Sequence, residues 1–156
     1  AEFNVWADPH AAAMVFDCGA PITMAGLDVT HQFLVTPPRI EQVEAINTPF
    51  SSMITDLFRF FARNYLSRHE HMVGAALHDP LAVMALTHPH LFIGVDRHVT
   101  IEMEGRHTTG MTVIDRRDMI GQEAPNAHVL ERVDHEAAWA IVLDALAAAS
   151  NRAAHA

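Results

Sequence analysis

The chain contains no lysine. All ten basic residues are arginine, set against 19 acidic ones, and the net charge is -9 with histidine neutral. A surface of that sign repels a phosphate backbone, so nucleic acid is not an expected partner. The missing lysine also removes a Walker-type phosphate loop and Schiff-base chemistry from this polypeptide. Cysteine is almost absent too. Cys18 stands alone, so no intrachain disulfide can form, and a reducing, cytoplasmic setting is expected. With nothing beside it to lower its pKa, Cys18 reads as a small buried hydrophobe rather than a nucleophile. Long apolar runs are lacking as well. Charges, histidines and prolines recur often enough that no stretch approaches the roughly 18 residues of a membrane span. The opening AEFNVWADPH has neither an initiator methionine nor the charged-then-apolar layout of a signal peptide, and reads as the middle of something longer.

What is present is one domain's worth of chain, 156 residues of which 50% are apolar, enough to bury a core. Asp8-Pro9 predicts a short helix ended by Gly19, and ITMAGLDVT after it predicts a compact strand. Beyond Thr36-Pro37-Pro38, a polar helix is expected over roughly 38 to 46. Thr48-Pro49 then opens what reads as the longest helix. Within it Ile54, Leu57, Phe58, Phe61 and Tyr65 recur at helical spacing, a stripe expected to pack into the core. A second Asp-Pro helix follows SRHEHMVG and ends before THPH. HVTIEMEG and TTGMTVID, joined through Gly105-Arg106-His107, predict a hairpin. Residues 126 to 133 predict a last strand, and Asp134 a helix cap, with Ala137, Ile141, Val142 and Ala145 facing inward. Helices alternating with strands indicate an α/β layered fold with an antiparallel hairpin added.

The stretch AALHDPLAV places histidine, aspartate and proline in a row inside an apolar segment. Asp-Pro before an apolar run is an ordinary helix start, so Asp8-Pro9 and Asp79-Pro80 both read first as caps. Only the second has a histidine in front. A carboxylate at a helix N-terminus stays ionised and can offer oxygen to a hard cation, while His78 supplies a proton donor near neutral pH. In AEFN, if extended, Glu2 and Asn4 project to one side and Phe3 to the other. A carboxylate and an amide so placed can hold the hydroxyls of a sugar. The bland alternative is a polar strand end.

Taken in order, AEFNVWADPHAA, ITMAGLDVTHQ, ALHDPLAV and VTIEMEGRHTTGMTVIDRR resemble the C-terminal half of the inosine-uridine-type nucleoside hydrolases, over nearly the whole chain. The resemblance implies an open, mostly parallel sheet with helices on both faces plus the hairpin. It implies hydrolysis of the N-glycosidic bond of ribonucleosides to free base and ribose. Asp79 looks like the family's calcium ligand that also meets a ribose hydroxyl, and Glu2 and Asn4 like its ribose-binding glutamate and asparagine, with Phe3 between them in the substrate-binding set. His78 looks like the histidine beside the leaving base. A transition state with positive charge on the ribosyl ring and negative charge on the base is matched by anionic groups below and a proton donor above. A calcium-bound water is the nucleophile that the family implies.

The family's N-terminal half carries an aspartate cluster resembling DTDxGxDD, and this chain has none. The nearest run, Asp115-Arg116-Arg117-Asp118, falls where the family has an ordinary strand exit. Because calcium takes six to eight oxygens, Asp79 alone does not make a tight site. The expectation is a C-terminal half, inactive until the N-terminal half is supplied, that associates with itself or with such a companion. NYLSRHEH matches the region closing over the base, which makes Tyr65, Arg68, His69 and His71 candidate base contacts against the alternative of a solvated helix end. Two other functions compete: a non-catalytic assembly or ribose-binding chain, and a zinc hydrolase built on His69-Glu70-His71 or His88-Pro89-His90.

Overall fold

A computed structural model describes residues 1–69, 71–116 and 123–153. Glu70, and Arg117 and Asp118 of the acidic-basic run, lie outside the described residues. In chain order the first elements are α1 (Phe3–Ala7), α2 (Pro9–Asp17), β1 (Thr23–Met24), α3 (Leu27–Thr30), β2 (Leu34–Val35), α4 (Pro37–Glu44) and α5 (Pro49–Leu66). They continue with β3 (Ala75–Ala76), α6 (His78–Thr87), β4 (Phe92–Arg97), β5 (Val99–Ile101), β6 (Thr112–Ile114), β7 (Ala127–Val133) and α7 (His135–Ala153). This is an α/β fold. The chain divides into two compact units, Ala1–Val29 with Phe92–Arg132 and Thr30–Leu91 with Val133–Ala156. No helix among the described residues is long and apolar enough to cross a membrane.

In the first unit, Asp8 joins two helices. Its backbone N–H closes α1 on Asn4 O, while its side chain accepts from Ala11 N at 2.9 Å and starts α2, with Pro9 at the first position. Gly19, at φ +76°, follows the helix end as expected. Cys18 just before it is exposed, which corrects the expectation of burial. The strand expected over ITMAGLDVT stops at Met24. From Gly26 the chain turns, with Val29 N donating to Gly26 O, into α3, whose first turn takes Asp28. The three-stranded sheet has the order β1-β7-β4, and β1 runs parallel to β7 with Thr23 opposite His128. The hairpin forms between β5 and β6 with Val99 opposite Ile114, though its strands are shorter than the alternating segments. Val99, Ala127 and Val129 form the buried centre, with Phe16, Ile22, Met24 and Ile114 packed against it.

The second unit is built around β2 and β3, antiparallel with Leu34 opposite Ala76. Its interior holds Phe33, Val35, Val43, Ala75, Ala76, Leu81, Ala138 and Trp139. Each large apolar side chain fully buried there contributes about 1.5–3 kcal/mol relative to exposure. Two expected inward faces differ. On α5 the buried residues are Ser51 and Thr55, while Leu57 and Phe61 are exposed. The capping box explains the rotation: Thr48 Oγ1 accepts from Ser51 N, and Ser51 Oγ accepts from Thr48 N, which turns Ser51 inward. On α7, Asp134 caps Ala137 N as expected, but the buried residues are Ala138, Trp139 and Ser150, and Ala145 is exposed. Trp139 carries the largest area to be buried, and it fixes the face. At 19 residues α7 also exceeds the 18 of α5.

Arg39, buried among these helices, donates to the backbone carbonyls of Leu34 (2.8 Å) and His135 (3.0 Å) and to Glu136 Oε1 (3.0 Å). Its guanidinium carbon lies 5.5 Å from the ring centroid of Phe33 and 5.1 Å from that of Trp139. A buried charge persists because its donors are taken and two aromatic faces cover it. Arg39 thereby ties α4 to the start of α7.

Candidate functional site

The two Asp-Pro sequences fold differently. Asp8 spends its carboxylate on a cap, as above. Asp79 does not: α6 begins one residue earlier, at His78, with Leu77 as the flanking residue and no side-chain cap. Asp79 therefore lies in the first helical turn, and among the described residues no hydrogen bond or ion pair engages its carboxylate. The unbonded N–H groups of the first turn favour negative charge there. The result is an uncommitted carboxylate beside a histidine.

His78 sits in a cluster contained in the second unit. Its Nδ1 is 2.8 Å from Thr30 Oγ1. Its ring centroid lies 5.6 Å from that of His31 and 6.3 Å from that of Tyr65, both tilted. The Tyr65 hydroxyl is 3.3 Å from His31 Nε2, and the Tyr65 ring stacks on His69 at 4.4 Å. Partial burial raises the Tyr65 pKa above its ordinary value, so the phenol stays protonated near neutral pH. The structure thus unites Tyr65, His69 and His78 of the expected residues. His31 and Thr30, lying in the ITMAGLDVTHQ stretch with no role assigned, join them. Arg68 and His71 lie in the turn after α5, the His71 ring 6.3 Å from that of His69.

Chain geometry explains how distant residues meet. The β2–β3 ladder is extended by a bond from Leu77 N to Phe33 O (2.9 Å), so the residues just before β2 and just after β3 lie side by side. Thr30 and His31 arrive on one strand end and His78 on the other. Tyr65 and His69 come from the C-terminal end of α5 and the turn beyond it.

Glu2, Phe3 and Asn4 belong to the first unit. Here the extended arrangement gives way to a helix. Glu2 is the residue flanking α1, and its Oε2 accepts from Asn4 N at 2.8 Å and Val5 N at 3.2 Å. One glutamate oxygen thus orders the first turn, and among the described residues the other accepts no hydrogen bond, while Phe3 and Asn4 stand exposed on that turn.

Among the described residues, no group of three histidine, cysteine, aspartate or glutamate side chains could hold a metal ion. The His88 and His90 rings are 6.0 Å apart, and His88 Nδ1 is 2.9 Å from Thr87 Oγ1. Asp79 suits a hard cation as a single oxygen ligand, and among the described residues it belongs to no group of three that could hold one.

A family model described as "Inosine-uridine preferring nucleoside hydrolase" matches residues 1–140. The pyrimidine-specific ribonucleoside hydrolase RihA of Klebsiella pneumoniae is 42% identical over 137 residues, covering 88% of this chain and 44% of that protein. RihA of Escherichia coli is 40% identical over 146 residues, 94% of this chain and 47% of that one. Among solved structures, a purine-preferring ribonucleoside hydrolase from Gardnerella vaginalis superposes with a TM-score of 0.80 at 32% identity, over 94% of this chain and 46% of that one. A plant nucleoside hydrolase does so at 0.84 and 25%, over 95% and 48%. The chain spans about half the length of each of these proteins.

Proposed function

We propose, from the premise that this chain belongs to the inosine-uridine preferring nucleoside hydrolase family, that it supplies the leaving-base side of a site that hydrolyses the N-glycosidic bond of ribonucleosides. One observation carries the reading. At the start of α6 a histidine with one ring nitrogen 2.8 Å from Thr30 Oγ1 stands next to a carboxylate that no cap or ion pair among the described residues engages. In the reaction water gives up a proton to a carboxylate of the companion N-terminal half and its oxygen adds to the anomeric carbon as the bond to the base nitrogen breaks. The electron pair leaves with the base, and the base takes up a proton. His78 donates that proton or a hydrogen bond, which contributes about 10²–10⁴-fold when such a donor is well placed. Tyr65 and His69 give the departing base a stacking surface beside the donor. Asp79 accepts from a ribose hydroxyl and bears negative charge toward the cationic ribosyl ring. Glu2 and Asn4, with Phe3, hold the remaining hydroxyls.

Calcium, as the family implies, would use Asp79 as one oxygen ligand and would lower the pKa of the attacking water. The rest of a six-to-eight-oxygen shell comes from an aspartate-rich half that these 156 residues do not contain. We therefore assign this chain the C-terminal half of the active assembly, in a cytoplasmic, salvage setting. The exposed side chains of Met53, Leu57 and Phe60 on one side of α5 support association with a companion half or with a second copy.

The test is release of free base from uridine and inosine, with calcium present, by this chain alone and mixed with the N-terminal half of a family relative. Turnover is expected only in the mixture, and lost with Asp79→Asn. Turnover by the chain alone contradicts the assignment of a half site. Uridine binding without turnover in the mixture favours instead a non-catalytic, ribose-binding chain.

A further inference from the structure

α5 carries an apolar row on the side turned away from its own core. With Ser51 and Thr55 buried, Met53, Leu57 and Phe60 are each more than half exposed. Asn64, whose Nδ2 donates to Phe60 O at 2.8 Å, continues the row as its polar end. The steps of four, three and four residues are those of the seam between two coiled helices, so the partner that fits this face is itself a helix.

The charges beside the seam indicate which helix. Asp56 and Arg63 stand seven residues apart on one flank, opposite in sign and both exposed. Among the described residues neither has an ion-pair partner, whereas Arg59, exposed as well, is held by Glu44 Oε2 at 2.6 Å. Charges on such a flank set the orientation of the partner. Two parallel copies of α5 set Asp56 across from Phe61 of the other copy and match nothing. Two antiparallel copies set Asp56 across from Arg63 of the other, twice over by the two-fold axis, and pack Leu57 on Phe60 between the pairs. The antiparallel arrangement also opposes the helix dipoles favourably.

Resting on the association reading above, but not on the roles given to His78 and Asp79, we propose that α5 is a self-docking surface. A second copy of this chain lays its own α5 antiparallel on the row of Met53, Leu57 and Phe60, with Asp56 of each copy paired to Arg63 of the other. One helix pair is a small interface, so the dimer forms at micromolar rather than nanomolar concentration.

Sedimentation equilibrium of the whole chain measures the dimer dissociation constant, and a monomer–dimer equilibrium is expected. Asp56→Arg and Arg63→Asp each set like charges across both symmetry-related pairs, and each should weaken the dimer about tenfold or more. The double variant exchanges the two signs, restores the match and should recover the wild-type constant. Net charge alone predicts otherwise, since the first change brings the chain closer to neutrality and the second takes it further away. Arg59→Asp makes the same charge change off the seam and should leave the constant unaltered. In the wild-type chain, which needs no variant to fold, amide signals that move with concentration should lie on α5 between residues 53 and 64. Movement confined to other elements overturns the proposal while leaving association itself in place, as do single variants that dimerise like the wild type or a double variant no better than the singles. A chain monomeric at every concentration overturns both. Loss of the dimer on adding the N-terminal half of a family relative, with the α5 amides moving in the mixture, gives this face to the companion half and ends the proposal; base release by that mixture is read separately and bears only on the hydrolase reading.

Discussion

Gly110 and Trp6 meet backbone to backbone. A β-carbon placed on Gly110 would lie 2.6 Å from Trp6 Cα, closer than any side chain fits, and 3.1 Å from Trp6 N, which is tight. Gly110 also holds φ +79°, and its N–H closes the hairpin on Glu102 O at 2.8 Å. The hairpin loop is thereby seated against α1, the helix whose first turn carries Glu2, Phe3 and Asn4. Gly19 offers a matched control, with φ +76° and open space for 4 Å around the point where a β-carbon would sit. Gly19→Ala should cost only the left-handed backbone penalty, about 1–2 kcal/mol. Gly110→Ala should cost clearly more in urea unfolding, and should shift the amide signals of Asn4 and Val5. Equal losses for the two variants would mean that the contact with Trp6 does not constrain α1.

Glu102 organises the same loop. Its carboxylate accepts from the backbone N–H groups of Glu104 (2.9 Å) and Gly105 (3.0 Å), and these bonds hold its pKa below the ordinary glutamate value of 4.5. A carboxyl with a lowered folded-state pKa stabilises fully above its ordinary value, and that contribution is lost as pH falls through the lowered one. Loop amide signals should therefore hold steady as pH falls to the ordinary glutamate value and change only below it. Glu102→Gln should abolish that transition. A loop whose signals change at ordinary glutamate pH would contradict the hydrogen bonding.

Arg39 predicts an asymmetry between the two ends of an ion pair. Its side chain is 9% exposed and that of Glu136 75%. Arg39→Met leaves the Leu34 and His135 carbonyls without this donor, for an expected loss of about 2–4 kcal/mol. Glu136→Gln removes an exposed charge that contributes about 0–1 kcal/mol. Chemical denaturation of both variants decides the matter, and comparable losses would show that the pair itself, rather than the buried fork, does the stabilising.

On α5, Leu57→Asp and Phe60→Glu place charge at positions 55% and 62% exposed, so stability should change by less than about 0.5 kcal/mol. Association should weaken nonetheless, seen as a lower sedimentation coefficient at micromolar concentration. A compact monomer already present in the unmodified chain would remove the basis for this prediction.

Much of the fold was legible because local chemistry governed it. Asp8-Pro9, Thr48-Pro49 and Asp134 begin helices through their own side chains, and the alternation in HVTIEMEG and TTGMTVID marks a hairpin. The misses share a cause, in that neighbours outside the segment chose the outcome. Apolar spacing on α5 could not reveal that a capping box would turn Ser51 inward. Glutamate is not a favoured cap, so nothing in AEFN announced that Glu2 would start a helix. In the candidate site His78, Asp79 and Tyr65 stood out by motif, whereas His31 and Thr30 did not. Their place depends on a two-residue strand pairing some forty residues away in sequence, and the one available signal was their position in the family-like stretch ITMAGLDVTHQ.

Asn126 closes the hairpin's outer side. Its Oδ1 accepts from Val99 N at 2.8 Å, and its Nδ2 donates to Val99 O at 2.9 Å and Phe16 O at 3.2 Å. Val99 would otherwise present an open donor and acceptor away from β6, the arrangement on which another chain's strand can build. An amide side chain supplies both rungs in place of a backbone. The ladder is finished with one residue, and it offers a stray strand no first step at Val99.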